Sequence, residues 1–218
     1  MNIAEQLTQV YNNVDNVFEA GFVEGKTDAN NYFWDRYQHY GSRNSYSYAF
    51  FGNGWSDYTY NPQYKIYTEP KTDRARYMFA WSGIVDTKVP IEINGGGTTA
   101  EPSLFHGCKR LKTIREIYIN NYNGAYTDWF KDCTSLENIT IKGQIKNNGF
   151  DIHYSTRLTA ESIYNIVSAL SSTTSGYSVI LPSTAEATYN KKPPANAPKT
   201  FKELKETKMN WVIDLYKG

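Results

Sequence analysis

Apolar residues recur at every third position in two stretches of the chain. Phe105, Cys108, Leu111 and Ile114 form one ladder, and Phe130, Cys133, Leu136 and Ile139 repeat it 25 residues later, register for register. A period of three fits neither the 3.6-residue turn of an amphipathic helix nor the alternation of a half-buried strand. It predicts one coil of a solenoid. A short turn drops Phe, Cys and Leu inward, and the β-branched runs Ile117-Tyr118-Ile119 and Ile139-Thr140-Ile141 then add strands to a growing parallel sheet. Two weaker coils flank this pair. Tyr77-Met78-Phe79 places Phe79 26 residues before Phe105, with Ile91-Glu92-Ile93 as its strand. Ile152, Ser155 and Leu158 fall in the Phe, Cys and Leu slots, each 22 residues after its counterpart.

Other periods appear outside the coils. Ile3, Leu7, Val10, Val14 and Val17 follow heptad a/d spacing, which predicts a helix over 3–24 with an apolar seam. That seam must be buried, either on the helix's own domain or between partner chains. Residues 30–67 are crowded with aromatics, among them Tyr37, Tyr40, Tyr46, Tyr48, Trp55, Tyr58 and Tyr60, and broken by Gly41, Gly52 and Gly54. Such a block reads as loops and short strands. It suits a cap over the end of a coil stack, with a platform on which sugars stack as the alternative. Downstream, Thr159 is an N-cap and Glu161 sits in the first turn of a helix whose stripe is Ile163, Ile166, Val167 and Leu170. Tyr177–Leu181 reads as a strand stopped by Pro182, and Lys191–Pro198 as a stiff spacer. A short helix over Phe201–Lys208 and a last strand at Trp211–Ile213 close the coil stack. The fold class expected is α+β: an oligomerising or docking helix over 1–28, an aromatic-rich cap over 29–74, a solenoid with a parallel sheet over 75–182, and a spacer with a closing element over 183–218.

Composition changes this picture little. The net charge is +1, so no global field draws the chain to nucleic acid or to acidic lipid. No run approaches the 18 or so apolar residues that a membrane span needs, and the N-terminal stretch lacks the features of a secretory leader. The expectation is a protein made and folded in a cytoplasm. Its 19 tyrosines supply side chains with an apolar body and a polar tip, suited to wet contact surfaces. Cys108 and Cys133 share one slot in consecutive coils and should stack as buried thiols rather than bridge in a reducing compartment. Two cysteines without paired histidines make no structural zinc site. His39, His106 and His153 are scattered, and nothing in the sequence pairs Asp35, Asp57, Asp128 or Glu137 in the manner of a glycosidase. The glycine run Asn94–Thr98 lacks the Gly-Lys-Ser/Thr ending of a phosphate loop. No catalytic, cofactor-binding or metal-binding residues are therefore expected.

The ladder Phe-x2-Cys-x2-Leu-x2-Ile, followed by a β-branched strand, resembles BspA-type leucine-rich repeats over roughly residues 75–181. The flanks resemble repeat proteins encoded in phages and prophages of Gram-positive bacteria. They include Val17-Phe18-Glu19-Ala20-Gly21, Tyr32-Phe33-Trp34-Asp35, Tyr48-Ala49-Phe50, Gly52-Asn53-Gly54-Trp55 and Leu158-Thr159 with Glu161-Ser162. The resemblance implies a non-enzymatic structural component of a virion, in a tail, baseplate or fibre. Its expected partners are copies of itself, other virion proteins and a host-surface glycan or protein. It also allows an adhesin-like module that recognises a glycan or a protein. No catalytic residues come with this family.

Overall fold

Period three becomes geometry through the backbone of tight turns. In the computed structural model, Cys108 N–H donates to Phe105 O (3.0 Å) and Leu111 N–H to Cys108 O (3.1 Å). The same pair recurs at Phe130, Cys133 and Leu136 (3.1 and 3.2 Å), and again at Ile152, Ser155 and Leu158 (3.0 and 3.3 Å). Each turn, with the segment it leads into, forms one rung. Residues 66–68, 77–81, 83–87, 90–93, 103–120 and 122–217 are described by the structure, all within the unit Ser45–Gly218. The expected helix over 3–24, with its seam Ile3, Leu7, Val10, Val14 and Val17, lies outside them. So do the contact aromatics Tyr37 through Tyr60.

All eight ladder residues are buried. A column of rings runs through the rungs: Phe79 stacks on Phe105 at 5.1 Å and Phe105 on Phe130 at 6.0 Å, and Phe150 packs tilted against Phe130 at 5.3 Å. Each fully buried phenylalanine contributes about 1.5–3 kcal/mol, so the column is a main source of cohesion. The turns are matched in a second way. Backbone positions two before and two after the ladder phenylalanine are left-handed in three rungs: Tyr77 and Trp81, Ser103 and Gly107, Asp128 and Asp132. Rungs are then joined edge to edge, as by Phe105 N–H to Trp129 O (2.8 Å) and Gly107 N–H to Lys131 O (2.8 Å).

The fold is mixed α and β with two parallel sheets. Strands β1 (Ile66–Thr68), β2 (Ile91–Ile93), β3 (Thr113–Tyr118) and β4 (Asn138–Lys142) form the first, in chain order. Ile114 pairs with Ile139 and Ile117 with Ile141, so β3 carries one extra residue as a bulge between them. Strands β5 (Phe150–Asp151), β6 (Tyr177–Leu181) and β7 (Trp211–Leu215) form the second. Three helices complete the described residues: α1 (Ala160–Ala169), α2 (Ala185–Lys191) and α3 (Phe201–Glu206).

Several expectations are corrected. One continuous sheet was expected, whereas the chain builds two. The break falls where the fourth rung leads, as expected, into the helix α1, which plugs the edge of β4 with a side chain. The Ser162 hydroxyl accepts the Ile139 N–H (3.0 Å) and donates to Glu137 O (2.9 Å), meeting a donor and an acceptor that a further strand would have met. Strand β1 falls in the stretch read as cap, so the first sheet starts before residue 75. In the fourth rung Ile152 holds the backbone slot, but Phe150 supplies the ring that continues the column. Helix α3 ends at Glu206, and α2 had no forecast. Where the forecast was local it holds: the Thr159 hydroxyl caps α1 through Ser162 N–H (3.3 Å), and β6 stops before Pro182.

Candidate interaction surface

The cysteines of the ladder are packing groups. Cys108 Sγ donates to Phe79 O at 2.9 Å and Cys133 Sγ to Phe105 O at 3.1 Å, each tying its rung to the one before. Ser155 does this with oxygen, donating to Cys133 O at 3.0 Å. Both thiols are buried. Burial, then the neighbouring Cys108, pushes the Cys133 thiol well above its ordinary range, the opposite of what a reactive thiolate needs.

Side chains that leave the core differ between the sheets. On the first, polar groups answer one another. Arg115 holds Asp86 in a two-pronged contact (3.1 and 3.0 Å), while Lys142 Nζ (3.5 Å) and Tyr118 Oη (2.9 Å) both reach Glu116. On the second, β7 alternates: Trp211 and Ile213 point inward, Val212, Asp214 and Tyr216 outward. The parallel register sets Ser178 beside Val212, and Ile180 beside Asp214 and Asp151, on the same outer face. Val212 is 54% exposed, Tyr216 46% and the preceding Met209 86%. Among the described residues, β7 pairs with β6 alone and stands at the end of its sheet.

Tyr216 is held in place. Its ring stacks on His153 at 4.0 Å and 17°, and Tyr154 packs against the imidazole at 3.9 Å. Asp151 Oδ1 fixes that imidazole through Nδ1 (2.6 Å) and also accepts the His153 backbone N–H (3.0 Å). An Asp–His pair can activate a hydroxyl or thiol, but among the described residues none hydrogen-bonds to His153. The pair acts as a clamp that presents Tyr216 in a fixed pose. Rigid tyrosines give contact area at low entropic cost.

Two clefts lie on the helical side. One of about 900 Å³ opens between Thr159 and Glu161 at the start of α1 and Lys191, Lys192, Pro193 and Pro194 after α2. A smaller one, about 350 Å³, lies between Glu186 on α2 and Lys202, Lys205 and Met209. Among the described residues no three His, Cys, Asp or Glu side chains gather as metal ligands, and no helix is long and apolar enough to cross a membrane. Compared with known proteins, the chain matches no family model, no curated protein and no solved structure.

Of the residues singled out in the sequence, the ladder set Phe105, Cys108, Leu111, Ile114, Phe130, Cys133, Leu136 and Ile139 is brought together, as core. Met209, Val212 and Tyr216 were missed. The signal was present in the alternation from Trp211 to Tyr216, which leaves valine and tyrosine on the polar phase of a strand.

Proposed function

We propose that this chain is a non-enzymatic structural protein of a virion, a tail, baseplate or fibre component that works by protein–protein assembly. Its rungs are read as BspA-type leucine-rich repeats forming a short solenoid. The repeat reading is supported by the matching turn hydrogen bonds and left-handed positions in successive rungs. The virion reading is supported by the flanking segments that resemble phage-encoded repeat proteins. The observation that carries the assembly role is the outer edge of β7, where Met209, Val212 and the clamped Tyr216 present apolar surface. Regular strand edges with exposed apolar side chains attract other chains unless they are blunted.

The full chain should form oligomers, or complexes with a co-expressed neighbour, and Val212→Lys should reduce their mass without lowering the melting temperature. Surface substitutions of this kind change stability by roughly 0.5 kcal/mol or less. Light scattering and a thermal melt on both proteins make the test. An unchanged mass for Val212→Lys, or a wild type that is monomeric with every partner offered, removes the β7 edge from the account. Peptide sequencing of purified particles tests the virion assignment separately.

A further inference from the structure

The 25-residue repeat carries a second pair besides the ladder: Asn123-Gly124 in one rung and Asn148-Gly149 in the next. In such a pair the glycine nitrogen can attack the asparagine side-chain carbonyl carbon and close a cyclic imide, because the glycine has no Cβ to obstruct it. Closure needs base from solvent, room for the ring, and donors for the negative charge that develops on Oδ1. Two further pairs, Asn53-Gly54 and Asn94-Gly95, lie outside the described residues.

The two described pairs meet these needs unequally. Gly124 is buried, and a Cβ there would stand 2.5 Å from Tyr122 Oη. That hydroxyl is tied down, donating to Ala125 O (2.7 Å), and Asn123 O accepts from Asn147 Nδ2 (2.9 Å). The nitrogen that would have to attack is walled off from solvent. Asn148 and Gly149 are both exposed. Gly149 is left-handed (φ +85), and a Cβ there would meet nothing closer than 3.6 Å. Asn148 Oδ1 accepts from the Ser178 backbone N–H and from its hydroxyl, each at 3.4 Å. Two donors thus converge on the atom where charge develops during ring closure, and such bonds shorten as the acceptor becomes anionic.

We propose that Asn148-Gly149 is a site of spontaneous covalent modification, with Ser178 as its oxyanion donor. Solvent base removes the Gly149 amide proton, and the nitrogen forms a bond to Asn148 Cγ. The bond from Cγ to Nδ2 then breaks, and the leaving amine takes a proton from water to depart as ammonia. A second water opens the imide on either side, so the sum consumes one water and releases one ammonia. One product is aspartate, which keeps an acceptor facing Ser178. The other is isoaspartate, which routes the main chain through the side-chain carbon and lengthens it by one methylene. That extra carbon falls just before Phe150, whose ring packs against Phe130 at 5.3 Å and joins the two sheets. It also displaces Asn148 O from the Tyr126 N–H that donates to it (3.2 Å). The junction between the sheets therefore ages in solution, independently of the β7 contact.

The test incubates the full chain in mildly alkaline buffer, folded and in urea, and follows each asparagine by peptide mass spectrometry, with isoaspartate scored by enzymatic methylation. In urea Asn123 and Asn148 should react alike. In the folded chain Asn148 should react faster than Asn123 by about tenfold or more. Ser178→Ala should slow Asn148 several-fold, whereas Ser178→Thr, which keeps the hydroxyl, should retain the rate. The isoaspartate fraction should melt below the fresh protein, while Asn148→Asp should melt with it. Equal rates at the two asparagines of the folded chain, or no product at Asn148, overturn the site. An unchanged rate in Ser178→Ala overturns the part given to Ser178, and Ser178→Val decides that part if the alanine variant unfolds. Oligomer mass before incubation is untouched by either result, so failure of this site leaves the assembly reading in place.

Discussion

In the first sheet the exposed side chains answer one another, Arg115 to Asp86 and Lys142 to Glu116. In the second, Met209 and Val212 face solvent, and His153 holds Tyr216 with nearly half its surface uncovered. Both sheets are parallel, and one ring column supports both. Exposed ion pairs of the first kind contribute only about 0–1 kcal/mol each, so their value lies less in stability than in blunting the face against other chains. The second sheet is blunted only in part, since Asp214 and Asp151 share its outer face with the exposed Val212. Two sheets on one core therefore differ in the surface they present, and the proposed contact falls at β7.

The sharpest way to break this comparison is to remove what the sheets share. Phe130 stacks on Phe105 on one side and packs tilted against Phe150 of β5 on the other. Phe130→Ala should destabilise the chain by about 3–5 kcal/mol. Hydrogen exchange should show protection lost in β3, β4, β5 and β6 together. If the second sheet keeps its protection while the first loses it, the two are separate folding units and the column does not couple them.

A smaller change tests how the sheets come to be separate. Ser162 is buried, and its hydroxyl meets both the Ile139 N–H and Glu137 O on the edge of β4. Ser162→Ala strands that buried donor and acceptor, and each orphaned buried group costs about 1–3 kcal/mol. A denaturant melt should show a loss of roughly 2 kcal/mol, with faster amide exchange concentrated at Ile139. No loss would mean that the helix covers the edge by bulk alone.

How far the sequence carries this architecture depends on the range of each cause. The ladder, the Thr159 cap and the stop at Pro182 are local, decided by spacing or by one residue's chemistry, and each was legible. The division into two sheets was not, because it rests on a serine hydroxyl meeting a strand from 23 residues earlier. Nothing near Ser162 announces that role. Phe150 displaced Ile152 from the ring column for a similar reason: ring packing is chosen across rungs, while the slot pattern reads along the chain. The candidate surfaces were half visible. Alternation marked Val212 and Tyr216, but the clamp on Tyr216 joins Asp151 and His153 to a residue more than sixty positions away.

The smallest effect comes from one hydroxyl between the sheets. Tyr126 packs edge-on against Phe150 at 5.4 Å and Trp129 at 4.9 Å, and its hydroxyl is buried without a hydrogen bond. The Lys146 backbone N–H eases its ionisation slightly without reaching hydrogen-bonding geometry, so burial dominates and pushes the phenol far above its ordinary 10.0. A folded state that holds its proton longer than the unfolded chain binds more protons above pH 10, so stability falls as pH rises there. Cys133 has the same sign, starting from its ordinary 9.0. Lys208 has the opposite one: burial lowers it from 10.5, so just below that pH the unfolded chain binds more protons and its contribution to stability rises with pH. The two more deeply buried groups outweigh the lysine, and the chain should lose stability from about pH 9 upward. Tyr126→Phe removes the tyrosine's share of that loss and relieves an unmet hydroxyl, so at neutral pH it should stabilise by about 0.5–1 kcal/mol. Melts at pH 7 and pH 10.5 on both proteins check it. An equally steep alkaline loss in Tyr126→Phe would shift the titration to Cys133, which belongs to the ladder beneath the first sheet, and away from the contact with the second.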